Sequence, residues 1–300
     1  MRRNYIYAII TVFIWSTMAA VTKMLLSDIP CLETLAVSSI FAFLFLLIVN
    51  IKNGTVKEVR NYSFRDYEIM AGLGFLGLFT YSALYYYGLT QLSSQEACIL
   101  NYLWPIMLVI FSAVILKEKI TVIKGIAMVC SFLGIVILSW RSSEVVNAVL
   151  GIASCIAAAA CYGLFSILNK KINYNQNITM NVIWLVVAVC SAILGFFVED
   201  WVVIRGMQWL GIIWLGVFID AIAYLLWALA LQNAKDTAKI ANLAYLTPFL
   251  SLAVSAVVLG EKLTLQSFIA FIFIIGGILL QNFYGYIKDG VKSKFSCKKY

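Results

Sequence analysis

The most unusual side chain in the sequence is a single carboxylate, Asp220, at the centre of a continuous apolar run. The run extends from Trp209 to Leu231 and holds no other charged residue. If it crosses a bilayer as a helix, a carboxylate at that depth costs about 2.5–3.5 kcal/mol and normally faces a polar cavity. Asp220 is therefore a candidate for binding an ammonium group or for carrying a proton. The alternative is a structural hydrogen bond between helices.

Aromatic residues well inside the apolar runs are the second group of candidates. A ring with a polar tip can stack on a flat molecule and hydrogen-bond to its polar groups. Tyr81 and Tyr85 share one helix face, and Tyr224 shares a face with Asp220, because each pair is four residues apart. Ordinary helix packing is the alternative for every one of these rings. The candidates are Tyr81, Tyr85, Tyr102, Trp104, Tyr162, Tyr224 and Tyr245.

Two prolines inside apolar runs, Pro105 and Pro248, are expected to kink their helices. Each removes one backbone hydrogen bond, so the carbonyl four residues earlier must find a partner in a cavity or on a neighbouring helix. Those carbonyls belong to Asn101 and Ala244, and Asn242 lies close by. The Asn101 and Asn242 amides and the freed backbone could meet a carboxylate or an amine. The alternative is a kink that serves only the shape of the bundle.

The residue types also exclude several chemistries. The sequence has no histidine, so His-ligated metals, Ser-His-Asp triads and His proton relays are impossible. No GxxxxGK[ST] loop is present to bind ATP phosphates. Loops without a carboxylate pair or a nucleophile motif disfavour an intramembrane enzyme. We therefore expect no cofactor and no metal. Five cysteines lie in apolar runs, where they are most simply small hydrophobes: Cys98, Cys130, Cys155, Cys161 and Cys190.

The composition indicates what must position these residues. Of 300 residues, 63% are hydrophobic and 12% charged, about half the charge of a soluble domain. Continuous apolar runs predict an all-α integral membrane protein with ten transmembrane helices. The runs are Tyr5–Leu26, Leu35–Asn50, Ile69–Tyr87, Ala97–Leu116, Val122–Trp140, Ala148–Asn169, Ile178–Val198, Trp209–Leu231, Ala238–Leu259 and Leu265–Tyr286.

The distribution of basic residues predicts the orientation. With the N-terminus in the cytoplasm, 18 of the 22 lysines and arginines fall on the cytoplasmic side and four fall outside. Both termini are then cytoplasmic. The net charge of +8 resides in loops and in the C-terminal tail, so it indicates membrane orientation rather than a nucleic-acid partner. Lys23 and Lys170, near opposite membrane faces, are expected to extend to the lipid headgroups.

Two stretches of the sequence match at an offset of 143 residues. Tyr102-Leu103-x-Pro105 recurs as Tyr245-Leu246-x-Pro248, and Glu118-Lys119-x-Thr121 recurs as Glu261-Lys262-x-Thr264. The second motif reads as a structural helix end followed by a capping threonine. A weaker echo links Leu76-Gly77-x-Phe79 to Leu215-Gly216-x-Phe218. Five helices in each half make the second half inverted relative to the first, which is typical of secondary transporters.

This pattern resembles the drug/metabolite transporter superfamily and, within it, the EamA-type exporters with ten helices. The resemblance is carried by Trp15-Ser16 and by the two repeated motifs. The stretches 101–105 and 245–251 are similar to the bacterial aromatic amino acid exporter subgroup. The resemblance implies a carrier, proton-coupled or proton-independent, that exports amino acids or similar metabolites. It also implies a central cavity lined by the first, third, fourth, sixth, eighth and ninth helices, and it adds Trp15 to the binding candidates.

The sequence therefore predicts two inverted repeats, residues 1–145 and 146–300, the second with a short basic cytoplasmic tail. We expect a secondary active transporter in a bacterial inner membrane that exports neutral or aromatic amino acids by alternating access. The alternative is a carrier for another organic metabolite or a cationic drug, which Asp220 would suit. A channel is disfavoured by the inverted repeat. The expected partners are a small-molecule substrate, the lipid bilayer and, if transport is proton-coupled, a coupling proton. No nucleic-acid partner is expected.

Overall fold

A computed structural model describes residues 2–115, 125–126, 129–130, 133–134, 137, 145–172, 174–232, 242–261, 264–273, 275–277 and 279–280. It confirms the all-α membrane fold. Six helices in this part of the chain are long and apolar enough to cross a membrane. They are Arg3–Leu26, Cys31–Asn53, Phe64–Gln91, Ala148–Asn169, Gln176–Val198 and Gln208–Ala230. The predicted run Val122–Trp140 lies mostly outside the described residues, and the count of ten stays a prediction.

In the first half, helices α1 and α2 form one broken membrane span, and α3 forms the next. A short 3-10 turn, Thr55–Asn61, leads into a third span built from α4, a π-helical segment and α5. The predicted span Ala97–Leu116 is divided into two helices, α6 and α7, which are separated at Tyr102 and Leu103. The interruption expected from Pro105 is therefore a break directly before it. The bounds are α1 Arg2–Ser16, α2 Met18–Leu26, α3 Cys31–Asn53, α4 Phe64–Leu73, π1 Gly74–Phe79, α5 Thr80–Gln91, α6 Ser94–Asn101 and α7 Trp104–Ile115.

The second half follows the same plan in the residues described. A π-helical segment again interrupts its third span, and a 3-10 turn, Asn242–Tyr245, precedes the helix that contains Pro248. The bounds are α8 Val145–Lys171, α9 Gln176–Val198, α10 Gln208–Ile213, π2 Trp214–Ala223, α11 Tyr224–Gln232, α12 Leu246–Leu259 and an apolar helix α13 Leu265–Gly277.

The two π-helical segments lie at the positions that the sequence echo relates. Gly77 is in π1, which packs on α9, and Gly216 is in π2, which packs on α3. A Cβ atom at Gly216 would lie 2.2 Å from the Ser38 carbonyl oxygen, and one at Gly77 would lie 2.4 Å from Cδ2 of Phe165. Glycine at both positions therefore allows a close approach that any side chain would prevent.

Hydrogen bonds between helix ends identify two faces of the bundle. At the first, called here the Glu261 face, Glu199 and Glu261 accept backbone N–H groups at the start of α3 and α6. At the opposite face, called the Tyr174 face, the Tyr174 hydroxyl donates to Oδ1 of Asp66 over 2.5 Å. That contact raises the pKa of Tyr174. The positive-inside pattern predicts that the Tyr174 face is cytoplasmic.

Candidate functional site

A small central cavity of about 40 Å³ lies between the two halves and is partly open to the outside. Its walls come from the predicted first, third, fourth, sixth, eighth and ninth spans, the set that the resemblance implied. Eight of the predicted binding residues line it: Trp15, Tyr81, Tyr85, Asn101, Tyr102, Trp104, Tyr162 and Tyr224. The other lining residues are Met18, Ala19, Cys98, Ala244, Thr247 and Ser251.

Breaks in two helices shape this cavity. The first span is interrupted at Thr17, whose hydroxyl accepts a hydrogen bond from Nε1 of Trp214 at 2.9 Å. The fourth predicted span is interrupted at Tyr102 and Leu103, so Asn101 and Trp104 lie on either side of the break. A broken helix in a membrane needs partners for its freed polar groups, and such breaks normally line cavities.

The aromatic rings form a connected wall. Tyr81 and Tyr85 stack with their planes 4° apart and their centroids 6.0 Å apart. The Tyr162 ring lies 5.1 Å from Tyr81 and packs edge-on against Trp104 at 5.2 Å. Tyr162 also packs against Tyr224. Because each ring contacts its neighbours in stacked, tilted or edge-to-face geometry, the wall is held rigid and leaves aromatic surface for a flat ligand.

Several polar atoms on the lining have no hydrogen-bond partner among the described residues. Asn101 donates from Nδ2 to the Tyr81 hydroxyl at 3.2 Å, but its Oδ1 atom is unpaired. The Trp15 Nε1 donor and the Thr247 and Ser251 hydroxyls are also buried without a complete hydrogen bond. Buried polar groups normally have partners, so these atoms are available to a ligand or to water.

Asp220 does not line the cavity. It is buried in π2 with 2% of its surface exposed, and its carboxyl contacts the Ser38 hydroxyl on α3. Among the described lining residues none carries a charge. The interpretation of Asp220 as a direct ligand for a substrate ammonium group is therefore not supported by its place in this structure. Its one-turn distance from Tyr224 keeps it close to the wall.

Three other predicted residues have side chains outside the described residues, namely Asn242, Tyr245 and Pro105. Pro248 is described and buried in α12, one position after Thr247, and does not line the cavity. Sequence reasoning missed Thr247 and Ser251, although a signal was available. Ala244, Thr247 and Ser251 follow a helical spacing of three and four residues on one face, directly around the proline motif.

At the Glu261 face, hydrogen bonds across the two halves hold the end of α12 against the start of α6. The Glu261 carboxylate accepts from the backbone N–H of Ser94 at 2.8 Å and of Gln95 at 3.2 Å. The Ser94 hydroxyl donates to the same carboxylate at 2.9 Å and lies 2.7 Å from the Ser255 hydroxyl. A carboxylate on the N-terminus of a helix is a favourable, charge-assisted contact. Glu261 therefore joins the halves rather than only ending its own helix.

Lys23 belongs to the same contact region. Its Nζ donates to the carbonyl oxygens of Leu89, at 2.5 Å, and of Leu92, at 2.6 Å, near the C-terminus of α5. The expectation that Lys23 extends to lipid headgroups is wrong, because carbonyls that α5 leaves unpaired at its end attract the ammonium group. The Lys170 side chain is outside the described residues. Helices α2, α5, α6 and α12 thus converge at the Glu261 face and close the cavity there.

Helix contacts are arranged differently towards the Tyr174 face. There α1 packs against α11 and the 3-10 turn Asn242–Tyr245, whereas the extensive contacts of α7 within the described residues are with α8. The aromatic rings still connect the two sets of helices near the cavity, because Trp15 and Tyr162 both contact Tyr224. Within the described residues, the helix contacts of α1 and of α7 on this side are therefore with different partners.

The chain is similar to known membrane transporters over nearly its whole length. The sequence profile of the EamA-like transporter family matches residues 2–140 and 149–283. An uncharacterised transporter of Clostridium kluyveri is 23% identical over 93% of both chains. An uncharacterised transporter of Archaeoglobus fulgidus is 30% identical over 69% of this chain and 75% of its own.

Two further similarities concern a named exporter and a solved fold. The aromatic amino acid exporter YddG of Ancylobacter novellus is 26% identical over 80% of this chain and 83% of its own. A crystal structure aligns with a TM-score of 0.70 at 21% identity and covers 93% of this chain and 96% of that one. At that identity the structural match supports the fold alone.

Proposed function

Because the chain belongs to the EamA-like transporter family, a group of multi-pass membrane proteins that move small molecules, we propose that it exports amino acids, neutral or aromatic, by alternating access. The observation that carries this proposal is the aromatic cavity whose described lining holds free donors and acceptors and no charge. The aromatic amino acid exporter among its relatives supports the same substrate class.

The free polar atoms suit a zwitterion. An ammonium group has only donors, and Asn101 Oδ1 is a free acceptor. A carboxylate has only acceptors, and Trp15 Nε1 is a free donor. The Thr247 and Ser251 hydroxyls contact Tyr102 and Cys98 without a complete hydrogen bond, so they can turn to a substrate. The stacked Tyr81 and Tyr85 rings and the edge-on Trp104 ring offer surface for an aromatic or apolar side chain. A neutral amino acid uses both sets of groups at once.

The absence of charge on the described lining also argues against the rival substrate, a cationic drug. A cation in this cavity would be desolvated without a carboxylate partner there, which is costly unless aromatic faces replace the lost hydration. A zwitterion brings its own compensating charge. The rival class of uncharged organic metabolites is separated from amino acids by the transport experiment below.

The helix contacts support one state of an alternating-access cycle. In the proposed state Glu261 holds the cavity closed at its own face, and the cavity opens towards the Tyr174 face, where the described contacts of α1 and of α7 are with different helices. With the Tyr174 face in the cytoplasm of a bacterium, the state is inward-open, as an exporter needs for loading its substrate. The inverted repeat provides the means of return, since two similar halves can exchange roles about a central site.

The test is counterflow in proteoliposomes that contain the purified protein. Vesicles loaded with one unlabelled amino acid should accumulate the same labelled amino acid transiently, and a panel of neutral, aromatic and charged amino acids, organic cations and uncharged metabolites defines the class. Trp104→Ala should reduce the rate at least tenfold per folded molecule, since it removes a wall ring. The matched control, Trp209→Ala, removes an exposed ring that contacts Phe41 away from the cavity and should transport normally.

Counterflow of organic cations alone would contradict the proposed substrate class. Normal counterflow by Trp104→Ala would contradict the proposed site. Flux that neither saturates nor is stimulated by substrate on the opposite side would identify a channel instead of a carrier.

A further inference from the structure

A polar cluster behind the cavity wall has no place in substrate binding. It consists of Asp220 of π2, Ser38 of α3, Thr22 of α2 and Tyr86 of α5. We propose that this cluster is a separate proton-binding site, with Asp220 as the group that takes up and releases the coupling proton. The proposal rests on the proposed function for its role in transport, but the site itself is defined by contacts that do not involve a substrate.

The members of the cluster are buried and incompletely paired. Asp220 is 2% exposed, Ser38, Thr22 and Tyr86 are 0% exposed, and these side chains come from four different helical segments. The Thr22 and Tyr86 hydroxyls contact each other without a complete hydrogen bond, and Asp220 Oδ2 has no hydrogen bond to any described residue. A buried charged carboxylate without a cationic partner is strongly disfavoured. A bound proton removes that cost.

The single proton of the Ser38 hydroxyl gives an independent argument. The Ser38 oxygen contacts two acceptors, the Leu35 carbonyl oxygen at 3.2 Å and the Asp220 carboxyl. A hydroxyl has one proton to donate but can also accept. When Asp220 holds a proton, Asp220 donates to Ser38 and Ser38 donates to Leu35, so both contacts are hydrogen bonds. When Asp220 is ionised, the two acceptors compete for one proton.

No described charged group compensates Asp220. The titratable groups that interact with it electrostatically are the tyrosines Tyr81, Tyr86 and Tyr224. Cys31 of α3 lies near Tyr86. Charged residues on the packed helices are engaged elsewhere: Glu33 accepts from Val202 N, Lys23 binds the α5 carbonyls, and Arg3 of α1 contacts Tyr7. The proton is therefore the cation that this environment selects, and it comes from and returns to water.

The cluster is linked to the cavity through one helical turn. Tyr224 follows Asp220 by four residues and presents its ring to the cavity. The Tyr224 and Tyr81 hydroxyls contact each other, and Tyr81 in turn accepts from Asn101 at 3.2 Å. A change of charge at Asp220 thus reaches the Asn101 amide, which is proposed to bind substrate, through two tyrosines.

The repeat shows that the carboxylate of this site occurs in one half only. The echo that relates Gly77 to Gly216 also relates Tyr85 to Tyr224 and Tyr81 to Asp220. Tyr81 lies two residues after the end of π1, and Asp220 lies within π2. The first half therefore has a tyrosine where the second has a carboxylate. Such an asymmetry in otherwise matched halves is expected where only one of them carries the coupling ion.

The test compares Asp220→Asn with Asp220→Glu and with Asp28→Asn. Asp28 contacts Gln208 at the Glu261 face and lies outside the cluster. Wild-type proteoliposomes with an acidic lumen should accumulate the transported amino acid in exchange for lumenal protons, so the lumen should become more alkaline as the amino acid enters. Asp220→Asn should lose this accumulation, reaching a ratio of one, while counterflow, which needs no net proton movement, is retained. Asp220→Glu should keep pH-driven accumulation, and Asp28→Asn should match wild type.

Several results would overturn the proposal. Proton movement at the wild-type ratio in Asp220→Asn would do so, as would accumulation driven by a sodium gradient and not by a pH gradient. Loss of both transport modes in folded Asp220→Asn, with counterflow also lost in Asp220→Glu, would assign Asp220 to substrate binding. If the wild-type protein transports no amino acid, the proposed substrate class is wrong. The proton-binding site is then tested by a measurement that needs no substrate.

Infrared difference spectra of the purified protein provide that substrate-free measurement. Titration of wild type should show the carbonyl band of a protonated buried carboxyl that disappears at high pH. This band should be absent in Asp220→Asn and shifted in Asp220→Glu. A band that persists unchanged in Asp220→Asn would show that Asp220 is not the proton site, whatever the substrate.

Discussion

Two of the helix pairs that join the halves of this protein are held together differently. Three hydrogen bonds at different depths join α3 and α9. The Glu199 carboxylate accepts from the Leu32 N–H at 2.9 Å, Asn181 donates to the Phe43 carbonyl at 2.9 Å, and Asn50 donates to the Asn177 carbonyl at 3.1 Å. The pair formed by α12 and the α6–α7 span is joined by Glu261 at one face, and among the described residues α7 packs instead on α8.

A glutamate bound to the N-terminus of a helix therefore has two roles in this protein. In both pairs a glutamate at the end of one helix binds the N-terminus of a helix from the other half. Between α3 and α9, where further hydrogen bonds follow along the pair, the glutamate contributes to a rigid helix pair, called here the scaffold. Where the complete hydrogen bonds are confined to one face, as are those of Glu261 and of the Ser94–Ser255 pair, the contact can open and close. We expect α3 and α9 to stay together through the transport cycle while the contact of α6 with α12 breaks and re-forms.

The largest effect is expected from breaking the scaffold at Gly216. An added Cβ would lie 2.2 Å from the Ser38 carbonyl oxygen, a backbone atom that cannot rotate away. Gly216→Ala should cost at least about 1–3 kcal/mol by overpacking and remove most folded protein from detergent extracts measured by size-exclusion chromatography. Gly72→Ala is the control, because nothing lies within 4 Å of its Cβ position. Equal yields for the two variants would contradict the close α3–π2 packing.

Glu261→Gln tests the contact that is expected to open. Loss of a charge-assisted contact of about 1.5–3 kcal/mol should shift the balance between closed and open states at the Glu261 face by roughly tenfold or more. Cys98 lines the cavity and serves as a native reporter. Its labelling by an impermeant maleimide applied at the Glu261 face should rise by that factor, while the exposed-carboxylate variant Glu68→Gln should label as wild type. Unchanged labelling would mean that Glu261 does not hold this face closed.

Glu199→Gln sharpens the comparison, because it makes the same chemical change in the scaffold. Loss of the charge-assisted bonds of the Glu199 carboxylate should destabilise the fold by about 1.5–3 kcal/mol and lower the melting temperature by several degrees. The sidedness of Cys98 labelling should stay at the wild-type ratio, since α3 and α9 remain bonded at Asn181 and Asn50. A shift in sidedness as large as that of Glu261→Gln would erase the distinction between the two pairs.

The smallest effect is expected at the opposite end of the scaffold. Tyr174→Phe removes a hydroxyl that donates to Asp66 between the halves and should cost about 1 kcal/mol, the value of one hydrogen bond. Counterflow should proceed at the wild-type rate. A thermal melt checks the first expectation and transport checks the second, and a strong loss of transport without loss of stability would place Tyr174 in the moving part.

Much of this comparison was accessible from the sequence, but only where local pattern decides the structure. Apolar runs predicted the six long helices, and a proline with neighbouring aromatics predicted that Asn101, Tyr102 and Trp104 belong together. The rotation of each helix could not be predicted in the same way. A π-helical segment turns Asp220 away from the cavity, because an extra residue per turn shifts the face that follows it.

Contacts between helix ends that are distant in sequence could not be predicted either. Glu261 and Ser94 are 167 residues apart, and the motif around Glu261 reads locally as an ordinary helix end. Lys23 binds carbonyls of α5 for the same long-range reason. Such contacts depend on which helix ends meet, and one sequence does not specify that arrangement.

The most direct test of alternating access is a reversible cross-link at the Glu261 face. In a background without the seven native cysteines, Ser94→Cys and Ser255→Cys replace hydroxyls whose oxygens lie 2.7 Å apart, so the two side chains point towards each other, as a disulfide requires. The cross-linked protein should be held closed at this face, so counterflow should stop on oxidation and return on reduction. Transport at the full rate by fully cross-linked protein would contradict the account.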